Sequence, residues 1–294
     1  MVCPDAALEH LRRAASAMRG KGDPAQRAGV LTLLGITYTR AAMLPLTARM
    51  LAAIRCYQDA ADLYAAARQF EPWARMQFNL GNAWCELQEA EFPGKWEQAI
   101  AHYKQALLYR RRDVNPQAYA VTLENLGSAY RARTQGNKTE NVVEAIRCYR
   151  RALRICREDV APASWAALQN NLGNALLSLP AEFWPASSRA PAAIRHFDFA
   201  LRIRTREKNL YDYGVTQLNR AQAYFQLGLD GSGGDLMEAA EGFHDALEAF
   251  VASGHAAEAK IARRGLELIG QAATWVPLHN GPIPAAGGPL RRCE

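Results

Sequence analysis

The 294-residue sequence has no long apolar run, no strand-like alternation of apolar and polar residues, and only six scattered cysteines. Its longest apolar runs are interrupted by Arg, Glu or Gln well short of the roughly 20 residues that a membrane span requires. The cysteines show neither CxxC spacing nor the density of a disulfide scaffold, and no secretory signal is visible at the N-terminus. We therefore expect no membrane segment, reduced thiols and a cytoplasmic location.

Catalytic motifs are also missing. No two of the six histidines form an HExxH pair, and the sequence contains neither a nucleophile elbow nor a glycine-rich strand-to-helix turn. Cys56, His102, Cys148 and His196 recur at equivalent positions, but stacked helices are about 10 Å apart, whereas zinc needs its ligands within about 2.3 Å. We expect no enzymatic activity, no metal and no cofactor.

A short phrase, Asn-Leu-Gly followed by a polar residue and Ala, recurs with small changes at a fixed interval along the chain; its first copy is reduced to Leu33-Leu34-Gly35, and its last is the divergent Asn219-Arg220-Ala221. Its glycine occupies Gly35, Gly81, Gly127 and Gly173 at steps of 46 residues, and Ala221 follows after 48. Self-similarity at a fixed period is the signature of a repeat architecture, in which each unit contacts mainly its neighbours. The sequence therefore predicts a repeat array.

A second signature follows each glycine at a nearly constant distance. It consists of a small residue, an aromatic residue four positions later and a small residue three further on, as in Ala99, Tyr103 and Ala106. Offsets of four and seven place all three on one helical face. Proline at Pro24, Pro72, Pro116 and Pro162 marks the start of the first helix, since the first helical turn needs no donor there. Each unit is predicted as helix, loop, helix.

The predicted domain is one elongated array over residues 5–271. Its parts are a half unit at 5–19, five units at about 24–69, 72–112, 116–158, 162–207 and 210–253, and a capping helix at 256–271. The glycine of the first helix is expected to face the aromatic residue of the second helix. Residues 273–294 contain several Gly and Pro without a helical period, and this predicts a disordered tail.

The paired signatures resemble those of the tetratricopeptide repeat, as in Leu80-Gly81 with Trp84, followed by Ala99 and Tyr103. The family's common unit has 34 residues. The longer unit is similar to the extended repeats of kinesin light chains and of bacterial arrays linked to caspase-like proteases. This resemblance implies an all-α fold, a right-handed α-solenoid of about twelve antiparallel helices whose first helices line a concave groove that binds a peptide or a helix of another protein.

Within that groove, the resemblance places the residues two before and one after each glycine on the inner face. These candidate binding residues are Asn79, Asn82, Asn125, Ser128, Asn171, Asn174, Asn219 and Gln222. Because an amide both donates and accepts, such a series can bond a peptide backbone of any sequence. The alternative is that these amides hold neighbouring helices together. Arg75 and Arg131 are added as residues that would meet an acidic ligand.

The favoured function is a scaffold or adaptor for another protein, and the resemblance suggests a bacterial effector or a caspase-like protease component as the partner. The alternative is a nucleic-acid binder that uses an arginine-rich outer edge, although a net charge of +6 is mild for this length. This edge comprises Arg110, Arg111, Arg112, Arg147, Arg150, Arg151, Arg154, Arg157, Arg202, Arg204, Arg206 and Lys208. A third possibility is that the tail, with Trp275-Val276-Pro277-Leu278, folds back into the groove or docks on a neighbouring copy of the chain.

Overall fold

A computed structural model of the chain describes residues 4–19, 23–229 and 233–275, and every regular element in these ranges is a helix. The twelve helices are α1 Pro4–Ala17, α2 Pro24–Arg40, α3 Leu46–Ala66, α4 Phe70–Glu86, α5 Lys95–Ala106, α6 Pro116–Ala132, α7 Lys138–Leu153, α8 Pro162–Leu177, α9 Ala186–Leu201, α10 Leu210–Leu229, α11 Gly233–Ala252 and α12 Ala256–Trp275. The all-α prediction is confirmed.

Side chains that cap free backbone N–H groups explain several helix starts. The Asp23 carboxylate accepts from the Ala25 N–H at 3.0 Å, and the Asn115 side chain accepts from the Ala118 N–H at 2.9 Å. Pro24 and Pro116 then occupy the first turn of α2 and α6, where no donor is lost. The predicted starts of these two helices are therefore correct.

The predicted ends of the second helices are too late. We expected helix as far as residues 112 and 158, but α5 ends at Ala106 and α7 at Leu153. Tight turns follow α5, in which the N–H of Arg110 donates to Ala106 and that of Asn115 to Arg111, both at 2.9 Å. These turns reverse the chain before the next helix begins. At the other end of the array, α12 continues to Trp275, so residues 273–275 are helical; the rest of the predicted tail, 276–294, lies outside the described residues.

The chain divides into two compact units, Met1–Trp184 and Pro185–Glu294, here called unit 1 and unit 2. Helices α1 to α8 belong to unit 1, and α9 to α12 belong to unit 2. Within each unit a helix packs chiefly against the next helix in sequence, and first helices of successive repeats also touch. This is the α-solenoid arrangement, as predicted.

Close contact between a glycine and an aromatic ring joins the two helices of a repeat. A Cβ atom added at Gly81 would lie 2.5 Å from a Tyr103 ring carbon, and one added at Gly127 would lie 2.7 Å from the ring of Tyr149. Both tyrosines are fully buried. The predicted packing of a large residue against a small one is therefore confirmed, and a β-carbon at these glycines would force the ring to move.

Side chains in and beside the loops form hydrogen bonds between successive repeats of unit 1. The Thr47 hydroxyl donates to the Glu91 carboxylate at 3.0 Å, and the Gln135 side chain donates to the Pro93 carbonyl at 2.9 Å. Glu89 accepts from Trp96 Nε1 at 3.0 Å and from the Thr134 hydroxyl. Consecutive repeats are thus joined both through their helices and through their loops.

Candidate binding site

Two adjoining cavities open beside the first helices of unit 1. The first, called the arginine cavity, has a volume of about 550 Å³ and lies among α2, α3, α4 and the turn after α5. Its lining residues are Ile36, Thr39, Arg40, Arg49, Met50, Tyr57, Arg75, Phe78, Asn79, Asn82, Ala83, Glu86 and Arg110. Four guanidinium groups and one carboxylate therefore border this space.

The second, called the amide cavity, has a volume of about 490 Å³ and lies beside α4, α5 and α6. Its lining residues are Asn82, Cys85, Glu86, Trp96, Tyr103, Asn125, Ser128, Ala129, Arg131 and Ala132. Asn82 and Glu86 border both cavities. The two spaces therefore follow one another along α4, and a bound chain could pass from one to the other.

The structure brings some of the predicted binding residues together and separates the others. Those that border the two cavities are Arg75, Asn79, Asn82, Asn125, Ser128 and Arg131. Asn171 and Asn174 lie on α8 and border neither cavity, while Asn219 and Gln222 lie on α10 in unit 2. The candidate site is consequently shorter than the full series of repeats.

Asn82 is held in one orientation by two hydrogen bonds. Its Oδ1 accepts from the Tyr103 hydroxyl at 2.7 Å and from Asn125 Nδ2 at 2.9 Å. Burial raises the pKa of Tyr103, so this hydroxyl keeps its proton and remains a donor. Because both acceptor positions of Oδ1 are used, the amino group of Asn82 is the part of this side chain that is left to bond a ligand.

Several amides of the series also join helices, as the alternative interpretation predicted. Asn125 on α6 reaches Asn82 on α4, and Asn171 Nδ2 donates to the Glu124 carboxylate at 3.2 Å, linking α8 to α6. Ser128 bonds the Tyr149 hydroxyl at 3.1 Å within one repeat. Asn79, Asn174 and Gln222 are different, because no hydrogen bond joins their side chains to the described part of the chain. The series therefore contains both structural amides and amides free to meet a ligand, of which Asn79 borders the arginine cavity.

Arg110 is a cavity residue that the sequence interpretation placed elsewhere. We expected it on the outer edge, but it borders the arginine cavity. Its guanidinium lies 4.1 Å from the centre of the Phe78 ring and donates to the Thr122 hydroxyl at 3.1 Å. Burial lowers its pKa to about 10, an effect that Glu71 partly offsets, so Arg110 is charged at neutral pH. Two contacts thus hold a partly buried cation in place.

A spacing in the sequence could have revealed this inward placement. Arg204 has the same relation to Thr216, twelve residues later, with a distance of 3.2 Å. The repeat between these two interrupts the pattern, because it has Cys156 at the position equivalent to Arg110 and Arg204. Arg40, Arg49 and Glu86 were also missed, since none of them belongs to the repeated glycine phrase.

At least five of the eleven arginines of the proposed outer edge already have acidic partners. Arg111 pairs with Asp113 and Arg157 with Asp159, both at 2.5 Å, and Arg206 pairs with Glu248 at 2.7 Å. Arg147 pairs with Glu144 on the same helix. Such neutralised cations attract phosphate groups only weakly. The pairing argues against the nucleic-acid alternative.

Unit 2 has a cavity of another character. It has a volume of about 370 Å³, is almost wholly apolar, and is bordered by Gln222, Phe225, Phe243, Lys260, Ile261, Arg264, Gly265 and Leu268. Gln222 is the predicted site residue found here. Its neighbours offer few groups that could bond a peptide backbone, so the cavity favours apolar side chains.

Among the described residues, Cys56, Cys85, Cys148 and Cys156 are free thiols, and no group of three potential ligands could hold a metal ion. Burial raises the pKa of Cys56 and Cys148 to about 11, which keeps both thiols protonated at neutral pH. Over the same residues, no helix is both long and apolar enough to cross a membrane.

No protein-family profile and no curated protein matches the chain. Among solved structures, it is similar to a Rap protein crystallised with competence and sporulation factor, with 14% identity, a TM-score of 0.49, and coverage of 91% of this chain and 70% of that one. It is also similar to a chain of the APC/C Cut9–Hcn1 hetero-tetramer, with 16% identity, a TM-score of 0.47 and coverage of 89% of this chain. Here it spans 43% of the other chain, less than half its length. Such distant similarities assign neither a family nor a partner.

Proposed function

We propose that this protein is an interaction scaffold, and that the first-helix face of unit 1 binds an extended segment of a partner protein. The observation that carries the proposal is the pair of adjoining cavities, which share Asn82 and Glu86 and follow α4 and α6. The amides of Asn79 and Asn82 would bond the backbone of the segment, and the cavities would receive its side chains. Recognition by this face requires no chemical step.

The partner that the sequence resemblance suggests is a bacterial effector or a component of a caspase-like protease, and the expected location is the cytoplasm. The proposal does not depend on either. What supports it is that Asn79 and Asn82 both border the arginine cavity, and that neither the Asn79 side chain nor the Asn82 amino group has a hydrogen-bond partner in the described part of the chain. Both groups are donors or acceptors placed where an incoming backbone would pass.

The test is a pull-down from a nuclease-treated extract of the native host, followed by a titration of the purified partner. We compare the intact chain with an Asn79→Ala/Arg131→Ala variant. The matched control is Gln98→Ala/Arg150→Ala, which removes the same two kinds of group from exposed positions on α5 and α7. Circular dichroism checks that both variants fold.

We expect the Asn79→Ala/Arg131→Ala variant to bind the partner at least about tenfold more weakly, since it loses a charged and an amide contact. The control should bind normally. Equal binding by both variants would show that the partner uses another surface. Capture that disappears after nuclease treatment would instead favour the nucleic-acid alternative.

A further inference from the structure

We propose that the arginine cavity binds a phosphate group carried by the partner segment, which makes the scaffold a reader of phosphorylated protein. This inference rests on the proposed function, because it names the chemistry of the same binding face. The cavity is bordered by Arg40, Arg49, Arg75 and Arg110, with Glu86 as the only carboxylate. Arg75 also lies 3.7 Å from the Glu71 carboxylate, so two positive charges remain to be balanced by a ligand.

The first reason is Arg49, because the residues at equivalent positions in the next two repeats form hydrogen bonds within the protein. The equivalent positions of the next two repeats, 46 and 92 residues later, are Lys95 and Asn141, and both are buried. Lys95 Nζ donates to the Cys85 carbonyl and Asn141 Nδ2 to the Gln135 carbonyl, each at 2.9 Å. Arg49 is half-buried as a residue, but its Nε is buried and has no hydrogen-bond partner in the described part of the chain. A buried donor of this kind needs a partner.

Arg110 is the second reason, and unit 2 supplies the comparison. Arg204, its counterpart, bonds Thr216 and also approaches the Asp212 carboxylate at 3.9 Å. Arg110 makes the same threonine bond, but the position that corresponds to Asp212 is Ala118. Its stacking on Phe78 keeps the guanidinium directed into the cavity without neutralising it. The charge is fixed in place before any ligand arrives.

The number of guanidinium groups favours phosphate over a carboxylate. One arginine can bind a carboxylate through two parallel hydrogen bonds, so a single carboxylate would leave most of the donors unused. A phosphorylated side chain carries a charge of about −1.5 to −2 and three strong acceptor oxygens at neutral pH. It therefore balances most of the excess charge and can contact several arginines at once.

The first experiment measures the affinity of the full chain for inorganic phosphate and for acetate by isothermal titration calorimetry at one ionic strength. The cavity variant is Arg49→Gln/Arg110→Gln. The control, Arg112→Gln/Arg150→Gln, makes the same change of charge at exposed arginines that border neither cavity. We expect phosphate to bind better than acetate, and its affinity to fall about tenfold or more in the cavity variant alone.

A second variant protects the test against misfolding, because it changes the affinity in the opposite direction. Glu86→Gln removes the only carboxylate that borders the arginine cavity. Phosphate affinity should then rise about threefold, since a like charge near the ligand is lost. Acetate binding as tightly as phosphate, or an equal loss of affinity in the cavity and control variants, would overturn the inference.

The last experiment identifies the source of the phosphate and separates this inference from the proposed function. The captured partner is treated with phosphatase before binding is measured. We expect its affinity for the intact chain to fall to that of the Arg49→Gln/Arg110→Gln variant. If phosphatase treatment leaves the affinity of the partner unchanged, but Asn79→Ala/Arg131→Ala abolishes binding, the phosphate inference is overturned and the scaffold function stands. Suppose that inorganic phosphate binds, but that neither Asn79→Ala/Arg131→Ala nor Arg49→Gln/Arg110→Gln weakens binding of the partner. This result would overturn the scaffold proposal, and with it the inference that the phosphate is carried by a polypeptide.

Discussion

The two units use the same contact between helices but give it different chemistry. In unit 1 the ring that packs on glycine belongs to tyrosine, and the hydroxyls of Tyr103 and Tyr149 continue to Asn82 and Ser128. In unit 2 the ring on Gly265 belongs to Phe243, which borders an apolar cavity. The tyrosine hydroxyls of unit 1 thus accompany a polar face. The phenylalanine ring of unit 2, which has no hydroxyl, accompanies an apolar cavity. Packing is shared between the units, whereas binding chemistry is not.

The largest effect should come from breaking what the units share. We expect Gly81→Leu and Gly265→Leu each to destabilise the protein by about 3 kcal/mol, because even a Cβ atom would lie 2.5 Å or 2.6 Å from the facing ring. Urea unfolding followed by circular dichroism measures the change. Gly29→Ala is the control. With no atom within 4 Å of the added Cβ, it should instead stabilise α2 by up to about 1 kcal/mol. A neutral Gly81→Leu would mean that the Tyr103 ring is free to move aside.

A smaller effect should come from making unit 1 resemble unit 2. Tyr103→Phe removes the hydroxyl that donates to Asn82 and should cost about 1 kcal/mol of unfolding free energy. The control is Tyr109→Phe, because the Tyr109 ring stacks on Phe70 while no hydrogen bond joins its hydroxyl to the described residues. If both variants unfold at the same urea concentration, the Asn82 contact contributes nothing measurable to stability.

The smallest effect on stability, but a clear effect on binding, should come from the apolar cavity of unit 2. Ile261 borders it and is 51% exposed, so Ile261→Lys should change the unfolding free energy by less than about 0.5 kcal/mol. Binding of a fluorescent apolar dye should nevertheless fall, because the substitution places a charge beside the space. Asn79→Ala should leave dye fluorescence unchanged. Dye that responds to Asn79→Ala would show that the unit 1 face is also apolar enough to hold it.

Those features of the fold that depend on a repeated residue type could be predicted from the sequence. The glycine and tyrosine positions recur at fixed spacing, so their contact follows from helical geometry. The early ends of α5 and α7 could not be predicted in this way, because tight turns and helices use similar local hydrogen bonds and the arginines after Ala106 are compatible with both. Tertiary packing decides between them.

The candidate site was predictable only where it followed the repeat. Asn79, Asn82 and Asn125 were found through their fixed distance from a glycine. Arg49 and Arg110 were not found, since their counterparts in other repeats include Asn141 and Cys156 and no residue type recurs in every repeat. They matter because Asn141 and Arg204, at equivalent positions, have bonding partners that Arg49 and Arg110 lack. The absence of a bonding residue in one repeat can be recognised only when the structures of equivalent positions are compared.

The hydrogen bonds between loops have a consequence for how such a chain changes during evolution. Thr47 reaches Glu91 and Thr134 reaches Glu89, but the positions 46 residues after Thr47 and Glu91 are Pro93 and Asn137, so these bonds differ from one junction to the next. Loss or gain of a few residues within one loop would shift its donors away from their acceptors. Duplication or deletion of a complete 46-residue segment would keep the register of the helices but would bring together loop residues that do not match, such as Thr47 and Asn137. Each loop of unit 1 is therefore matched to its own neighbour, and a change in the number of repeats would have to be followed by substitutions that rebuild the contacts between loops.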